Sequence, residues 1–174
     1  MLGYTDAYLD IETTGLYSWY NSITVVGIYF CGQNDGRLVQ LYNENLTPGH
    51  LLEVMQGTEN LFTYNGERFD LPFIRDCLGP DLSRMHKHQD LMFDCWRCNL
   101  RGGLKAVLHN LGIDRETEGL TGMDAVRLWR RYRRLNDLEA LSLLLRYNRD
   151  DVVNLKQLRE SLSLRTPSDN ACRE

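Results

Sequence analysis

Two carboxylates stand two residues apart in a short apolar run, Tyr8-Leu9-Asp10-Ile11-Glu12-Thr13-Thr14-Gly15. In a strand, residues two apart share a face, so Tyr8, Asp10 and Glu12 project to one side while Leu9 and Ile11 project to the other. Like charges on neighbouring positions of one face repel. A partly buried site tolerates them when a cation lies between them or when one carboxyl keeps its proton. Two readings are open at this point. One is a divalent cation held by oxygen ligands; the other is an edge strand with a solvated acidic face.

Further acids stand later in the chain. Tyr147 and Asp151 are four apart beside an apolar stripe of Leu138, Leu141, Leu144, Leu145, Val152, Leu155 and Leu158, the pattern of a long half-buried helix. Asp151 on the border of that stripe is either a solvated surface acid or a carboxylate with a partner in the core. Asp150 is expected to point further away. In Tyr64-Asn65-Gly66-Glu67-Arg68-Phe69-Asp70-Leu71-Pro72, Asp70 follows a strand and turn and opens a helix. There an acid serves as an N-cap or dipole partner, a role compatible with metal binding.

The elements needed to hold these residues are legible in outline. Strands are expected over residues 8–13, 23–30, 37–42, 60–65 and 88–91, with an Asp35-Gly36 turn making a hairpin of the second and third. Helices are expected from Thr47-Pro48 to about Gly57 and over 69–78, 91–99, 104–111, 121–134 and 137–161. Three antiparallel strands followed by strand–helix alternation predict an α/β domain. Its mixed sheet has five strands, with helices packed on it. The domain is expected to span residues 1–163, with a loose polar tail over 164–174.

Composition sets bounds on function. The 174 residues are 43% hydrophobic and 25% charged with a net charge of −4, ordinary for a soluble globular domain. No apolar run is long enough to span a membrane, and the start lacks a signal-peptide pattern, so a cytoplasmic protein is expected. The five cysteines are odd in number and scattered. Cys95 and Cys98 have CxxC spacing but no second pair, and read as packing or surface thiols. The acidic balance argues mildly against binding nucleic acid by bulk charge. Arg127, Arg130, Arg131, Arg133 and Arg134, however, cluster on one predicted helix. That run is either a phosphate track or a solvated face.

Taken together, the motifs resemble those of the ribonuclease-H-like 3′–5′ exonucleases of the DEDD type. The Asp-x-Glu motif corresponds to Asp10-Ile11-Glu12, the Asn and aromatic-Asp motif to Asn65 and Phe69-Asp70, and the Tyr-x3-Asp motif to Tyr147 through Asp151. The position five before Asp151 is Arg146 rather than His, which indicates the Tyr branch. The matches run in order over residues 8–155, and the compact length resembles the stand-alone YprB-like group. The stretch around Tyr64–Ile74 also resembles proofreading domains of family B polymerases.

The resemblance implies a two-metal hydrolysis of phosphodiesters at the 3′ end of single-stranded nucleic acid, with nucleoside 5′-monophosphates released and DNA placed ahead of RNA. Asp10, Glu12, Asp70 and Asp151 would hold two Mg²⁺ or Mn²⁺ ions, roughly 3.5–4 Å apart in such sites. Asp10 would bridge them. Tyr147, with an ordinary pKa of about 10, would orient the attacking water. Thr13, Gly15, Leu16, Asn65 and Phe69 would line the substrate pocket, with Leu16 as an apolar wedge against the last base. Trp19 and Tyr20 either stack bases or pack locally, and Lys105 is a possible phosphate contact. The rival readings are a non-catalytic nucleic-acid-binding domain, an endonuclease of the same superfamily and, more distantly, a metal-independent glycosidase.

Overall fold

The structure, a computed structural model, describes residues 5–32 and 36–165. Five strands, β1 (Asp6–Thr13), β2 (Ile23–Cys31), β3 (Gly36–Tyr42), β4 (Asn60–Thr63) and β5 (Lys87–Asp90), form one sheet in the order β3-β2-β1-β4-β5. The pairs β1–β2 and β2–β3 are antiparallel, while β1–β4 and β4–β5 are parallel. The mixed α/β sheet is thus the one expected, and the acidic strand is central. The expected Asp-Gly turn falls largely outside the described residues, as does most of the expected tail.

Alternation along β1 feeds two cores. Ala7, Leu9 and Ile11 pack with Val26, Ile28, Leu51, Phe73 and Ile74, beneath α1 (Pro48–Val54), α2 (Asp70–Leu78) and α3 (Leu82–Met85). Tyr8 faces the other way, stacked on Phe62 at 5.1 Å, in a cluster with Leu91, Val107, Leu155 and Leu158. These come from α4 (Leu91–Arg97), α5 (Leu104–Asn110) and α7 (Leu138–Ser163). Asp10 and Glu12 share Tyr8's face and so meet the middle of α7. The antiparallel partner α6 (Gly122–Leu135) packs Ala125 and Leu128 with Ala140, Leu144 and Tyr147 of α7 over Val25.

Boundaries differ where local chemistry intervenes. β4 stops at Thr63, two residues early, because Asn65 adopts φ 63°, a left-handed conformation no strand continues through. Thr121 and Asp137 lie outside their helices as N-caps, accepting from the backbone N–H of Asp124 (3.3 Å) and Ala140 (2.9 Å). The four-residue α3 is too short to leave a periodic signal. Two expectations for α7 fail. Leu138 is exposed, in the first turn of the helix before the stripe meets the core. Asp150, expected to point away, is buried, because the 113–120 segment covers that side of the helix. Its carboxylate accepts from the N–H (2.7 Å) and hydroxyl (2.5 Å) of Thr117.

Candidate metal centre and active site

Strand β1 and helix α7 bring three carboxylates together. One oxygen each from Asp10, Glu12 and Asp151 lies within 4.8 Å of the others, with Glu12 and Asp151 buried. Glu12 Oε1 is buried without a hydrogen-bond partner. Such an orphan acceptor among like charges is costly unless a cation completes it. The donor set is hard oxygen throughout, which fits Mg²⁺ or Mn²⁺ better than a thiophilic metal.

Asp70 reaches the same strand from the opposite helical layer. β4 pairs with β1 only over Asp6, Ala7 and Tyr8. Beyond that the β4 side of β1 is open, and the N–H of Ile11 donates to Asp70 Oδ1 at 3.0 Å. Phe69 is the N-cap of α2 and Asp70 its first residue, so the expected capping role passes to Asp70's contact with β1. Asp70 lies outside the set of three oxygens, yet its charge is felt by both Asp10 and Glu12. Burial, then mutual repulsion, pushes Asp10 and Glu12 well above the carboxylate range. Burial likewise pushes Asp70 up to about 7. Burial also raises Asp151, against the opposing pull of Arg115 and Lys105.

The countercharges are residues that motif reading missed or assigned elsewhere. Arg115 Nη1 pairs with Asp151 Oδ1, both side chains being almost fully buried. Lys105 Nζ donates to the Tyr147 hydroxyl at 2.7 Å and to the Leu120 carbonyl, and sits 4.4 Å from the Tyr147 ring centre. Burial lowers the pKa of Lys105 and raises that of Tyr147. Asn148 is fully buried, and its Nδ2 lies 3.3 Å from both the carbonyl and Oδ2 of Asp10. Gln40 Nε2 fixes the other end of that amide at 2.9 Å. A polar residue on the line Leu144–Asn148–Leu155 was the available signal for Asn148. Arg115, in an irregular segment, left none.

A cavity of about 490 Å³ opens over the carboxylates, lined by Asp10, Glu12, Tyr147 and Asp151 together with the anticipated Thr13, Gly15, Leu16 and Phe69. Asn65 is not among its lining residues. The Asn65 N–H donates to Asp90 Oδ1 at 2.7 Å, and its carbonyl accepts from Phe69, so it shapes the turn that delivers Phe69 and Asp70. Asp90 is the buried anchor of that turn, also accepting from the N–H of Glu67 at 3.0 Å and of Met92 at 3.1 Å. Its signal was an Asp at a strand–helix junction.

The family model of the RNase H superfamily matches residues 7–163. The chain belongs to the RNase H superfamily. Among curated proteins none matches the sequence. Solved structures share the superfamily fold. The NrnC of Brucella melitensis bound to pGG is 19% identical with a TM-score of 0.65, over 96% of this chain and 76% of that one. The same protein with bound Mg²⁺ is 18% identical with a TM-score of 0.62, over 98% and 78%. A nuclease solved in its apo form is 19% identical with a TM-score of 0.64, over 98% and 77%. At these identities the likeness concerns the RNase H-like fold. Among the described residues no helix is long and apolar enough to cross a membrane.

Proposed function

We propose that this RNase H superfamily member is a metal-dependent 3′–5′ exonuclease of the DEDD type, Tyr branch, acting on single-stranded nucleic acid with DNA ahead of RNA. The observation that carries the reading is the convergence of Asp10, Glu12 and Asp151 on one point, with Glu12 Oε1 left without a partner. The Mg²⁺-bound and pGG-bound states of the Brucella melitensis neighbour support it. So does the order of the motifs along the chain. In this reading residues 1–163 form the catalytic domain. Among the described residues, Cys31, Cys77, Cys95 and Cys98 carry free thiols, which suits a cytoplasmic setting.

Asp10, Glu12 and Asp151 would hold one divalent cation, and Asp70, beside Asp10 and Glu12, would contribute to a second. Such ions supply an activated water and neutralise charge on the phosphate and leaving oxygen. The remaining work falls to the chain. Tyr147, kept protonated by burial and fixed by the Lys105 ammonium, offers its hydroxyl as a hydrogen-bond partner that orients water. Lys105 and Arg115 offset the negative charge that four carboxylates and a phosphodiester bring together. Leu16, Gly15 and Thr13 on one side and Phe69 on the other would enclose the terminal nucleotide, Leu16 as a wedge against its base.

The test is digestion of 5′-labelled single strands of DNA and RNA of one sequence, with Mg²⁺, Mn²⁺ or chelator. A ladder shortening from the 3′ end, dependent on metal and lost in Asp10→Ala and Asp151→Ala, is the expected result. Cleavage in chelator, or of a closed circular strand, would overturn the exonuclease assignment.

A further inference from the structure

The connection between β1 and β2 holds a row of large side chains out in water. Leu16 is 74% exposed, Tyr17 57%, Trp19 71% and Tyr20 84%. Isolated exposed apolar residues are ordinary, but a contiguous patch marks a binding surface. This loop is also tightly built. The Tyr17 carbonyl accepts from the N–H groups of Tyr20 (3.1 Å) and Asn21 (3.0 Å), and Thr14 N–H donates to the Ser22 carbonyl at 3.0 Å across the neck. Ser18 Oγ donates to Asp76 Oδ2 on α2 at 2.8 Å. Tyr17 and Trp19 stack on each other at 5.1 Å, and Tyr20 meets Trp19 edge-on at 6.2 Å. The aromatic surface is therefore pre-organised.

Helix α6 shares a cavity with Leu16 of this loop, and its arginines differ in their partners. Arg127 pairs with Asp124 at 3.1 Å and Arg131 with Asp137 at 2.5 Å. Arg130 and Arg133, three apart and so on one face, have no acidic partner among the described residues. Arg130 lines the same cavity as Leu16 and the carboxylates. Arg133 donates to Asn43 Oδ1 at 3.3 Å, lies 5.7 Å from the Trp129 ring centre, and lines a second cavity of about 460 Å³. That second cavity also reaches Thr14 and Ser22, at the base of the aromatic loop. Arg130 and Leu16 thus line one cavity with the carboxylates, Arg133 and the base of the aromatic loop line the other, and the two cavities meet at Thr14.

We infer that the loop Leu16–Tyr20 and the Arg130–Arg133 face of α6 together bind the single strand upstream of the nucleotide being removed, with bases stacked on Trp19 and its neighbours and phosphates on the two arginines. The inference rests on the nuclease reading above and extends it. Rings and cations side by side are the chemistry that holds single strands without regard to sequence. The acidic protein as a whole repels a polyanion, so the attraction has to be local, and Arg130 and Arg133 supply it where acids do not cancel them.

The experiment is equilibrium binding of a fluorescent single strand of about 20 nucleotides, as DNA and as RNA, in chelator so that nothing is cut, across 50–200 mM salt. Each phosphate contact on a single strand contributes about 0.7 to the slope of log K against log salt. The double variant Arg130→Gln/Arg133→Gln is expected to flatten the slope by about 1.4. Arg127→Gln/Arg131→Gln, which loses acid-paired arginines, is expected to change it by less than half as much. Trp19→Ala is expected to weaken binding about 5- to 150-fold, the range for losing one stacked base, and Trp19→Phe to restore most of it. Tighter binding of either sugar supports the groove. Wild-type slope and affinity in the Arg130/Arg133 and Trp19→Ala variants, alongside a wild-type enzyme that digests strands, would overturn the groove alone. Dispersal of a dimer by Trp19→Ala without loss of oligonucleotide affinity would assign the loop to self-association instead. A wild-type protein that neither binds nor cuts would overturn the nuclease reading together with the groove.

Discussion

The Asn148 amide grips Asp10 at two points, its carbonyl and its carboxylate Oδ2, each at 3.3 Å. It is locked in turn by Gln40, whose Nε2 also donates to the Leu145 carbonyl at 2.8 Å. A carboxylate that binds metal needs its orientation fixed from behind. Asn148→Ala is expected to lower metal affinity or activity about 10- to 100-fold, the usual effect of losing such a support. Asn148→Asp should do more harm than Ala in chelator, since it sets another negative charge against Asp10. Calorimetric Mn²⁺ titration and kcat/KM on a single strand check the first, and urea unfolding in chelator checks the second. Unchanged metal affinity in Asn148→Ala would remove Asn148 from the positioning of Asp10.

Gly27 stands opposite Asp10 in the β1–β2 register. A Cβ at Gly27 would lie 2.1 Å from Asn148 Oδ1, far inside contact distance. The amide has no room to yield without letting go of Asp10 or Gln40. Gly27→Ala is therefore expected to reproduce the activity loss of Asn148→Ala while Asp10 itself is intact. Because both act through one amide, the double variant should lose little more than either single one. Fully additive losses would mean that Gly27 acts by another route.

These contacts also show where reading the sequence stops. The central strand, the long last helix and the ordered acids Asp10, Glu12, Asp70 and Asp151 were legible because period and motif are local properties. The sheet order that brings Asp10 to Asp151 was not legible, since it depends on pairing between distant segments. Asn148 stood inside the Tyr147–Asp151 motif, yet its role needs β2 and β3 beside it. Asp150 was misplaced because burial there depends on Thr117, a residue in an irregular segment. Arg115 belongs to that segment too, and no periodicity points from it to Asp151. The motif places Asn65 in the pocket, whereas its positive φ and its bond from the Phe69 N–H make it part of the turn that aims Phe69.

Arg115 supplies the countercharge of Asp151 inside the protein, but its Nε and Nη2 are buried without partners. The pair is thus incomplete. Breaking a buried ion pair from one side commonly costs about 3–5 kcal/mol. Arg115→Met should fall near the lower end, about 3 kcal/mol, because it also removes two orphan donors. The loss should be largest in chelator and smaller with saturating Mn²⁺, which would take over the neutralisation of Asp151. Urea unfolding in both conditions measures this. Equal losses with and without metal would show that Asp151 does not sense the cation.

Acid titration gives the remaining prediction. In the metal-free protein, burial pushes Asp70 up to about 7 and raises Asp10 and Glu12 well above their ordinary range. In the unfolded chain these groups lose their protons near pH 4. Between about pH 4 and 7 the folded state therefore holds more protons than the unfolded one, and stability falls as pH rises through that window. His88 works against this, because burial lowers its pKa and makes the folded state gain stability as pH rises towards about 6.5, where the unfolded chain gives up its proton. A cation discriminates between the two, since it competes with protons at the carboxylates alone. In chelator, Tm is expected to be lower at pH 7.5 than at pH 5.5. With Mn²⁺ the decline should shrink or reverse, and Asp70→Asn should flatten it in chelator. A chelator Tm that rises over this range, with no further change on adding Mn²⁺, would mean that the carboxylates are already compensated by Arg115 and Lys105 and have no need of metal.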